Sequence, residues 1–162
     1  LKAIAAYLKS FESHEPAHVY DSQKSKATTD KLTAAKGLSL GERLYIDNCG
    51  ACHFVAGNGA PRVFPKLDGA SIVNAQNPTA LIQVILAGTQ TPSTARAPSV
   101  LPMPGFAWRL SDDEAAQLAT FLRQGWSNEA GQVSREQVKA VRQRLEAGHD
   151  LAGASINHSE SH

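Results

Sequence analysis

The feature that most constrains this chain is a pentapeptide, CGACH at residues 49–53, which contains its only two cysteines. Cys49 and Cys52 lie three residues apart near the end of a predicted helix, so both thiols can add to vinyl groups on one edge of a porphyrin. His53 follows at once and can point its imidazole at the iron. The pentapeptide therefore predicts one covalently bound haem c.

Three other kinds of site use a pair of cysteines, and the sequence does not fully account for any of them. A thioredoxin-like redox pair is preceded by a strand in an α/β context, and the sequence has no strand pattern before Cys49. A structural zinc site needs four ligands, and no further cysteine or pair of histidines at finger spacing is present. A plain disulfide would leave His53 without a role. The residues favour haem attachment over these alternatives.

The single methionine of the chain, Met103, is the candidate for the other axial ligand. A methionine in a protein core usually belongs to the apolar face of a helix, where its flexibility fills gaps. Met103 instead lies between two prolines, which forbid regular structure and stiffen the backbone. We therefore predict that its thioether binds the iron. The alternative sixth ligands are His14, His18 or a histidine of the C-terminal tail.

Changes in composition divide the chain into three parts. Residues 1–36 begin with a helical pattern and continue, from Ser13 to Lys36, as a polar stretch that is typical of a linker or of an arm lying on a neighbour. Residues 37–131 form a compact unit, and residues 132–162 form a further helix and a tail. Residues 4–9 (IAAYLK) match residues 118–123 (LATFLR) in type at every position. This similarity predicts that the chain opens with the closing helix of a preceding copy of the same unit.

Capping patterns predict the helices of the compact unit. Two of them begin with serine followed three residues later by glutamate, a capping box, and the middle one begins with asparagine and proline. In order, they run from Ser39 to the cysteine pair, from Asn77 to Gly88 and from Ser111 to Gly125. A fourth helix is predicted from Ser134 to Gly148, followed by a mobile tail. The predicted fold class is all-α.

Aromatic side chains concentrate in the compact unit. A unit of about 90 residues with three short helices and long loops has a thin aliphatic core. Seven aromatic residues fall within it: Tyr45, Phe54, Phe64, Phe106, Trp108, Phe121 and Trp126. We predict that these side chains line the site of a large, flat, apolar group.

Charge and hydropathy exclude two classes of partner. Sixteen basic and fifteen acidic residues give a net charge of +1, which offers no basis for binding nucleic acid or an anionic membrane. The longest apolar stretch, residues 80–87, falls far short of the roughly 20 residues that cross a bilayer. We therefore predict no transmembrane segment in this chain. Residues 37–127 carry six basic and six acidic residues, a balance that predicts short-range apolar docking, or a tethered role inside a complex, rather than long-range steering.

Taken together, the CGACH motif, Pro65, the MPGF loop at residues 103–106 and the closing amphipathic helix resemble a class I cytochrome c domain. The resemblance covers about residues 38–124. It implies three main helices around a covalently bound haem, here followed by an extra C-terminal helix. It also implies that the carbonyl of Pro65 accepts the second imidazole N–H of His53, which would fix the tautomer of the ligand and raise its basicity.

The same resemblance implies a crossing of the first and last helices of the unit. Gly41 and Tyr45 on the first helix should lie against Leu118, Phe121 and Leu122 on the last one.

A narrower resemblance covers more of the chain. The runs FAWRLSDDE, GWSN and LKAIAAYLKS are similar to cytochrome subunits of bacterial periplasmic, membrane-associated dehydrogenases for alcohols and sugars, which string three such domains in a row. It implies that this chain relays electrons from a dehydrogenase catalytic subunit towards a quinone or a terminal oxidase, and that it is not itself an enzyme. It further implies a periplasmic location, with any membrane association made through the parent complex.

Two other functions remain open from the sequence. A haem enzyme or a gas sensor would need Met103 to dissociate and open the iron, and no distal acid or base supports peroxidase chemistry. A scaffold module that joins two subunits would be compatible with a bound haem.

Overall fold

The computed structural model describes residues 18–90, 93–95 and 101–157, with side chains as far as residue 148 in the last of these ranges. Within them the chain forms α-helices and two isolated antiparallel bridges, and no β-sheet. The helices are α1 (Ser22–Ala34), α2 (Leu40–Asn48), α3 (Gly50–His53), α4 (Ser71–Asn74), α5 (Thr79–Ala87), α6 (Asp112–Gln124) and α7 (Arg135–Asn157). The predicted all-α class is confirmed. The repeat predicted at residues 4–9 and the alternative ligand His14 lie outside the described residues.

The capping boxes predicted at Ser39 and Ser111 are confirmed. Ser39 and Ser111 each accept a hydrogen bond from the backbone N–H of the glutamate three residues on, and that glutamate bonds back to the serine N–H. The middle helix begins one residue later than predicted, at Thr79, whose N–H donates to the side chain of Asn77 over 2.9 Å. These caps satisfy backbone donors that each helix start would otherwise leave free.

Residues 22–34, within the stretch predicted to be a linker or an arm, form a helix that no sequence pattern predicted. Its composition is polar, so no periodic pattern of apolar residues predicts the helix. The Asp21 carboxylate caps the helix by accepting hydrogen bonds from the N–H groups of Gln23 and Lys24. The side chain of Leu32 is buried, and the Lys31 ammonium bonds the Glu42 carboxylate at 2.7 Å. Helix α1 is thus packed on the unit. The domain boundary at residue 36 stays a prediction.

The predicted crossing of the first and last helices is present between α2 and α6. At Gly41 the two backbones come so close that a Cβ atom would lie 2.4 Å from the Gln117 carbonyl oxygen. One turn later, the rings of Tyr45 and Phe121 pack with their centroids 5.4 Å apart. The absence of a side chain at Gly41 therefore sets the distance between the two helices.

Replacing Gly41 with alanine should destabilise the domain by about 2 kcal/mol, because the added methyl group forces α2 away from α6. The matched control is Gly148→Ala in α7, where nothing lies within 4 Å of the added Cβ. There the better helix propensity of alanine should raise stability by up to about 1 kcal/mol. Urea unfolding of both variants measures the difference. Equal stabilities would contradict a close crossing at Gly41.

Helix α7 continues past the end predicted for it. Gly148 does not adopt a positive φ and does not end the helix, which runs on to Asn157. The predicted mobile tail is therefore helical as far as residue 157. Near its start, α7 buries Val138 and Val141, and the Arg142 guanidinium donates to the Asp112 carboxylate at 2.7 Å. These contacts dock α7 on α6.

Candidate haem-binding site

One cavity of about 360 Å³ lies between the α2–α3 junction, α5, α6 and the loops that follow α3 and α5. Its volume lies within the range of roughly 300–1,000 Å³ that is typical of ligand pockets. Its wall contains all of the site residues predicted from the sequence: Cys49, Cys52, His53, Pro65 and Met103. Residues from distant parts of the chain thus converge on one apolar space.

The two cysteines occupy the junction between α2 and α3. Both are free thiols in the structure, and neither forms a disulfide. Burial, with a smaller contribution from the charge of Cys52, raises the pKa of the Cys49 thiol to about 12. A reactive redox cysteine has a lowered pKa instead. The environment of Cys49 therefore differs from that of a thioredoxin-like site.

The imidazole of His53 is held in one orientation. Its Nδ1–H donates to the carbonyl oxygen of Pro65 over 2.9 Å, so Nε2 is the nitrogen left for a metal. The side chain is 5% exposed. Burial lowers the pKa of His53, and the bond to Pro65 opposes this effect only in part. The ring is therefore neutral at pH 7, which is the form that binds metals.

Glycines in the loop after α3 bring Pro65 to the histidine. Gly59 has a φ of +55°, and a Cβ there would lie 2.3 Å from the Phe64 carbonyl oxygen and 2.6 Å from that of Pro65. The N–H groups of Leu67 and Asp68 donate to the carbonyl of Gly57, which closes the loop. Only glycine combines a positive φ with so close an approach.

Met103 reaches the cavity from the loop after α5. It forms an isolated antiparallel bridge with Thr89, in which each N–H donates to the other carbonyl at 2.8 Å and 3.0 Å. Gly88 has a φ of +74°, and a Cβ there would lie 2.3 Å from the Met103 carbonyl oxygen. The N–H of Phe106 donates to the end of α5. The thioether is therefore carried by backbone that is hydrogen-bonded on both sides of it.

The prediction that seven aromatic side chains line the cavity is wrong for five of them. Phe64 and Phe106 belong to its wall. Tyr45, Phe121 and Trp126 instead pack on one another with ring centroids 5.0–5.4 Å apart. Phe54 is 44% exposed, and Trp108 is 81% exposed.

Aliphatic side chains are the largest group in the wall, and sequence reasoning missed them as site residues. Those contributed by helices are Ile72, Leu81, Val84, Ile85, Leu118 and Leu122. Their spacing at three and four residues along α5 and α6 was the available signal, since such positions share one helix face. The same pattern indicates an ordinary core, which is why it did not mark a binding site.

The residues of the cavity fit a covalently held porphyrin. Two free thiols and an oriented, neutral imidazole lie in a wall that is otherwise mainly apolar. Asn48, in the same wall, donates to the Leu44 carbonyl and leaves its own oxygen buried without a hydrogen-bond partner among the described residues. An unpaired buried acceptor beside a cavity is expected where a bound group completes the wall.

Neither a cluster of metal ligands nor a membrane-spanning helix is found in the part of the chain that the structure describes. No three histidine, cysteine, aspartate or glutamate side chains come together there as ligands for a metal ion. No helix in these ranges combines the length and the apolar composition needed to span a membrane.

Residues 38–126 match the family model for cytochrome c. The chain belongs to the cytochrome c family, and the class I cytochrome c fold expected from its motifs is confirmed. Proteins of this family carry haem c, which agrees with the donor set in the cavity.

Three relatives of the chain are cytochrome subunits of dehydrogenases. The chain is 38% identical over 143 residues to the cytochrome c subunit of the quinone alcohol dehydrogenase of Gluconobacter oxydans, covering 88% of this chain and 30% of the relative. It is 36% identical over 147 residues to the corresponding subunit from Komagataeibacter europaeus, covering 88% and 31%. It is 33% identical over 150 residues to the cytochrome c subunit of gluconate 2-dehydrogenase from Pantoea cypripedii, covering 88% and 32%. The chain thus spans about a third of the length of these relatives.

Proposed function

We propose that this chain transfers single electrons through one haem c, attached by Cys49 and Cys52 and ligated by His53 and Met103. The observation that carries the proposal is the convergence of these four side chains on one apolar cavity. A haem bound there supplies a reversible one-electron iron couple. The protein contributes two axial ligands and a wall that excludes water.

The surroundings of each ligand suit an electron carrier. Pro65 holds the His53 ring in one tautomer, and the bridge to Thr89 holds the backbone of Met103. A soft thioether ligand raises the reduction potential, and so does an apolar wall. With His53 and Met103 both bound to the iron, no coordination site would remain for oxygen or peroxide. Fixed ligation in both oxidation states favours transfer over catalysis.

We further propose that the electron donor is the catalytic subunit of a dehydrogenase and that the acceptor is a quinone or a terminal oxidase. The names of the relatives support the donor. Val63, Ile72 and Leu101 are exposed and also line the cavity, so its mouth has an apolar rim. This rim, together with the net charge of +1, suits short-range docking within a complex in the periplasm. Membrane association would then come through the parent complex.

Covalent attachment is the first test of this function. The chain, produced together with a bacterial haem-attachment system, should carry one haem that stays bound in denaturant and titrates reversibly with one electron. Cys49→Ala and Cys52→Ala should each retain one thioether bond, and the double variant should lose its haem on unfolding. Ala51→Ser, between the cysteines, is the matched control and should keep both bonds.

Mass spectrometry of the unfolded protein and a spectroelectrochemical titration measure these outcomes. Loss of haem from the unfolded wild-type chain would contradict the attachment, and a two-electron titration would contradict a single iron centre.

A further inference from the structure

The turn after α6 buries polar side chains that the proposed function does not use. Ser127 and Asn128, from the GWSN run, are both fully buried, and Asp68 in the loop after α3 is 3% exposed. Burying polar groups is costly unless they are hydrogen-bonded. We call Asp68, Ser127 and Asn128 the clamp, because together they join this turn to the loop that carries Pro65.

The amide of Asn128 uses its full hydrogen-bonding capacity. Its oxygen accepts from the N–H of Gly69 at 2.7 Å and from the Asn74 amide at 2.8 Å. Its nitrogen donates to the carbonyl of Leu67 at 3.2 Å and to that of Leu122 at 2.8 Å. One side chain thereby ties the backbone on both sides of Asp68 to the end of α6.

The Asp68 carboxylate makes the reciprocal connection. One oxygen accepts from the N–H of Ser127 at 3.0 Å and from its hydroxyl, and the other accepts from the Ser25 hydroxyl at 2.8 Å. Because the Ser127 hydroxyl donates its hydrogen bond to Asp68, its oxygen is left to accept one from His18 Nε2–H, at 2.9 Å. The clamp is therefore also bonded to α1 and to the residues just before it.

The backbone held by the clamp lies just after the carbonyl that orients His53. Residues 67–69 are bonded on one side to Gly57 and on the other to the clamp. Pro65, two residues before Leu67, is itself exposed, and its carbonyl accepts from His53. Two sets of hydrogen bonds therefore hold the backbone that follows the Pro65 carbonyl.

We propose that Asp68 and Asn128 are positioning residues for His53, which they act on through the backbone of residues 65–69. The proposal rests on the proposed function, in which His53 binds the haem iron. A hydrogen bond from a ligating imidazole to a carbonyl raises the basicity of the ligand. Loosening residues 65–69 should therefore weaken the hydrogen bond between His53 and Pro65. The imidazole would then donate its electron pair less strongly to ferric iron, and the midpoint potential of the haem should rise.

The test compares two clamp variants with a control in the haem-loaded chain. Asn128→Ala removes all four bonds of the amide, and the milder Asp68→Asn places an NH2 group where a carboxylate oxygen accepted. Arg123→Met is the control. Arg123 is 2% exposed and donates to the carbonyls of Val73, Ala75 and Gly131, so its loss should destabilise the fold without touching residues 65–69.

The decisive measurement is the exchange rate of the His53 Nδ1 proton, followed by NMR in the ferrous protein. Both clamp variants should speed this exchange by about tenfold or more, because local opening exposes the bond to water. Both should also raise the midpoint potential. The Arg123→Met control should keep the rate within about twofold of wild type and leave the potential unchanged, although it lowers global stability.

An unchanged proton exchange rate and potential in Asp68→Asn would overturn the proposal, and this variant decides the question if Asn128→Ala does not fold. Equal effects in Arg123→Met would overturn it as well, because they would trace to global stability. A wild-type His53 ring without the ring-current shifts of a haem ligand would contradict the proposed function and this proposal together. That failure is visible before any variant is compared.

Discussion

Replacing Met103 with alanine is expected to lower the midpoint potential by on the order of 0.1 V or more, because axial ligands are the strongest lever on a haem potential. The thioether favours the ferrous state, and the variant loses this preference. The variant also leaves one axial position of the iron without a protein ligand. Its ferrous form should then bind carbon monoxide rapidly, whereas the wild-type protein should bind it slowly.

Spectroelectrochemistry and stopped-flow mixing with carbon monoxide measure these two effects. The weak near-infrared band of methionine-ligated ferric haem should disappear in Met103→Ala. The matched control is Leu101→Ala, which shortens an apolar side chain in the same loop and leaves the sulfur in place. Survival of the band in Met103→Ala would contradict the ligand assignment. Rapid binding of carbon monoxide by the wild-type protein would favour a sensor or a haem enzyme.

Replacing Trp126 with alanine is expected to lower the free energy of unfolding by about 3–5 kcal/mol. The indole is fully buried, it packs against Tyr45 and Phe121, and its N–H donates to the Val55 carbonyl at 3.0 Å. Its face also lies so close to Gly57 that a Cβ there would come within 2.7 Å of the ring. Alanine would leave a cavity and an unpaired carbonyl among these groups.

This loss is a large part of the roughly 5–15 kcal/mol that stabilises a typical domain. Trp108→Ala is the control, since that indole is 81% exposed and should change stability by less than about 0.5 kcal/mol. Denaturant unfolding of the haem-loaded protein measures both variants. A similar small loss for both tryptophans would contradict the buried aromatic cluster.

Local signals were enough to predict four of the helices, with their starts correct to within one residue. The capping boxes at Ser39 and Ser111 involve residues three apart, so the sequence displays both partners of each bond. Helix α1 escaped prediction because its cap, Asp21, precedes a polar stretch, and tertiary contacts such as the burial of Leu32 stabilise it. Gly148 was expected to end α7, but glycine costs only about 1 kcal/mol inside a helix and does not end one by itself.

The residues of the candidate site were likewise predicted only in part from the sequence. Cys49, Cys52 and His53 stand out because their spacing is itself the chemical requirement. Met103 stands out because it is the only methionine and lies between two prolines. The aromatic lining was predicted wrongly because composition reports which residues are present and not which face of the unit they cover. Tyr45, Phe121 and Trp126 pack on one another in a separate cluster.

By itself, the sequence determined the all-α class, the capped helices and the candidate attachment and ligand residues, since each depends on neighbours a few positions apart or on a residue that occurs once. Only the tertiary structure decided what lines the cavity, how closely α2 and α6 approach at Gly41, and how Asp68 and Asn128 hold the loop that carries Pro65. Asn128 bonds backbone about sixty residues away in the chain. Such contacts depend on how helices and loops pack in space, and no local pattern encodes that distance.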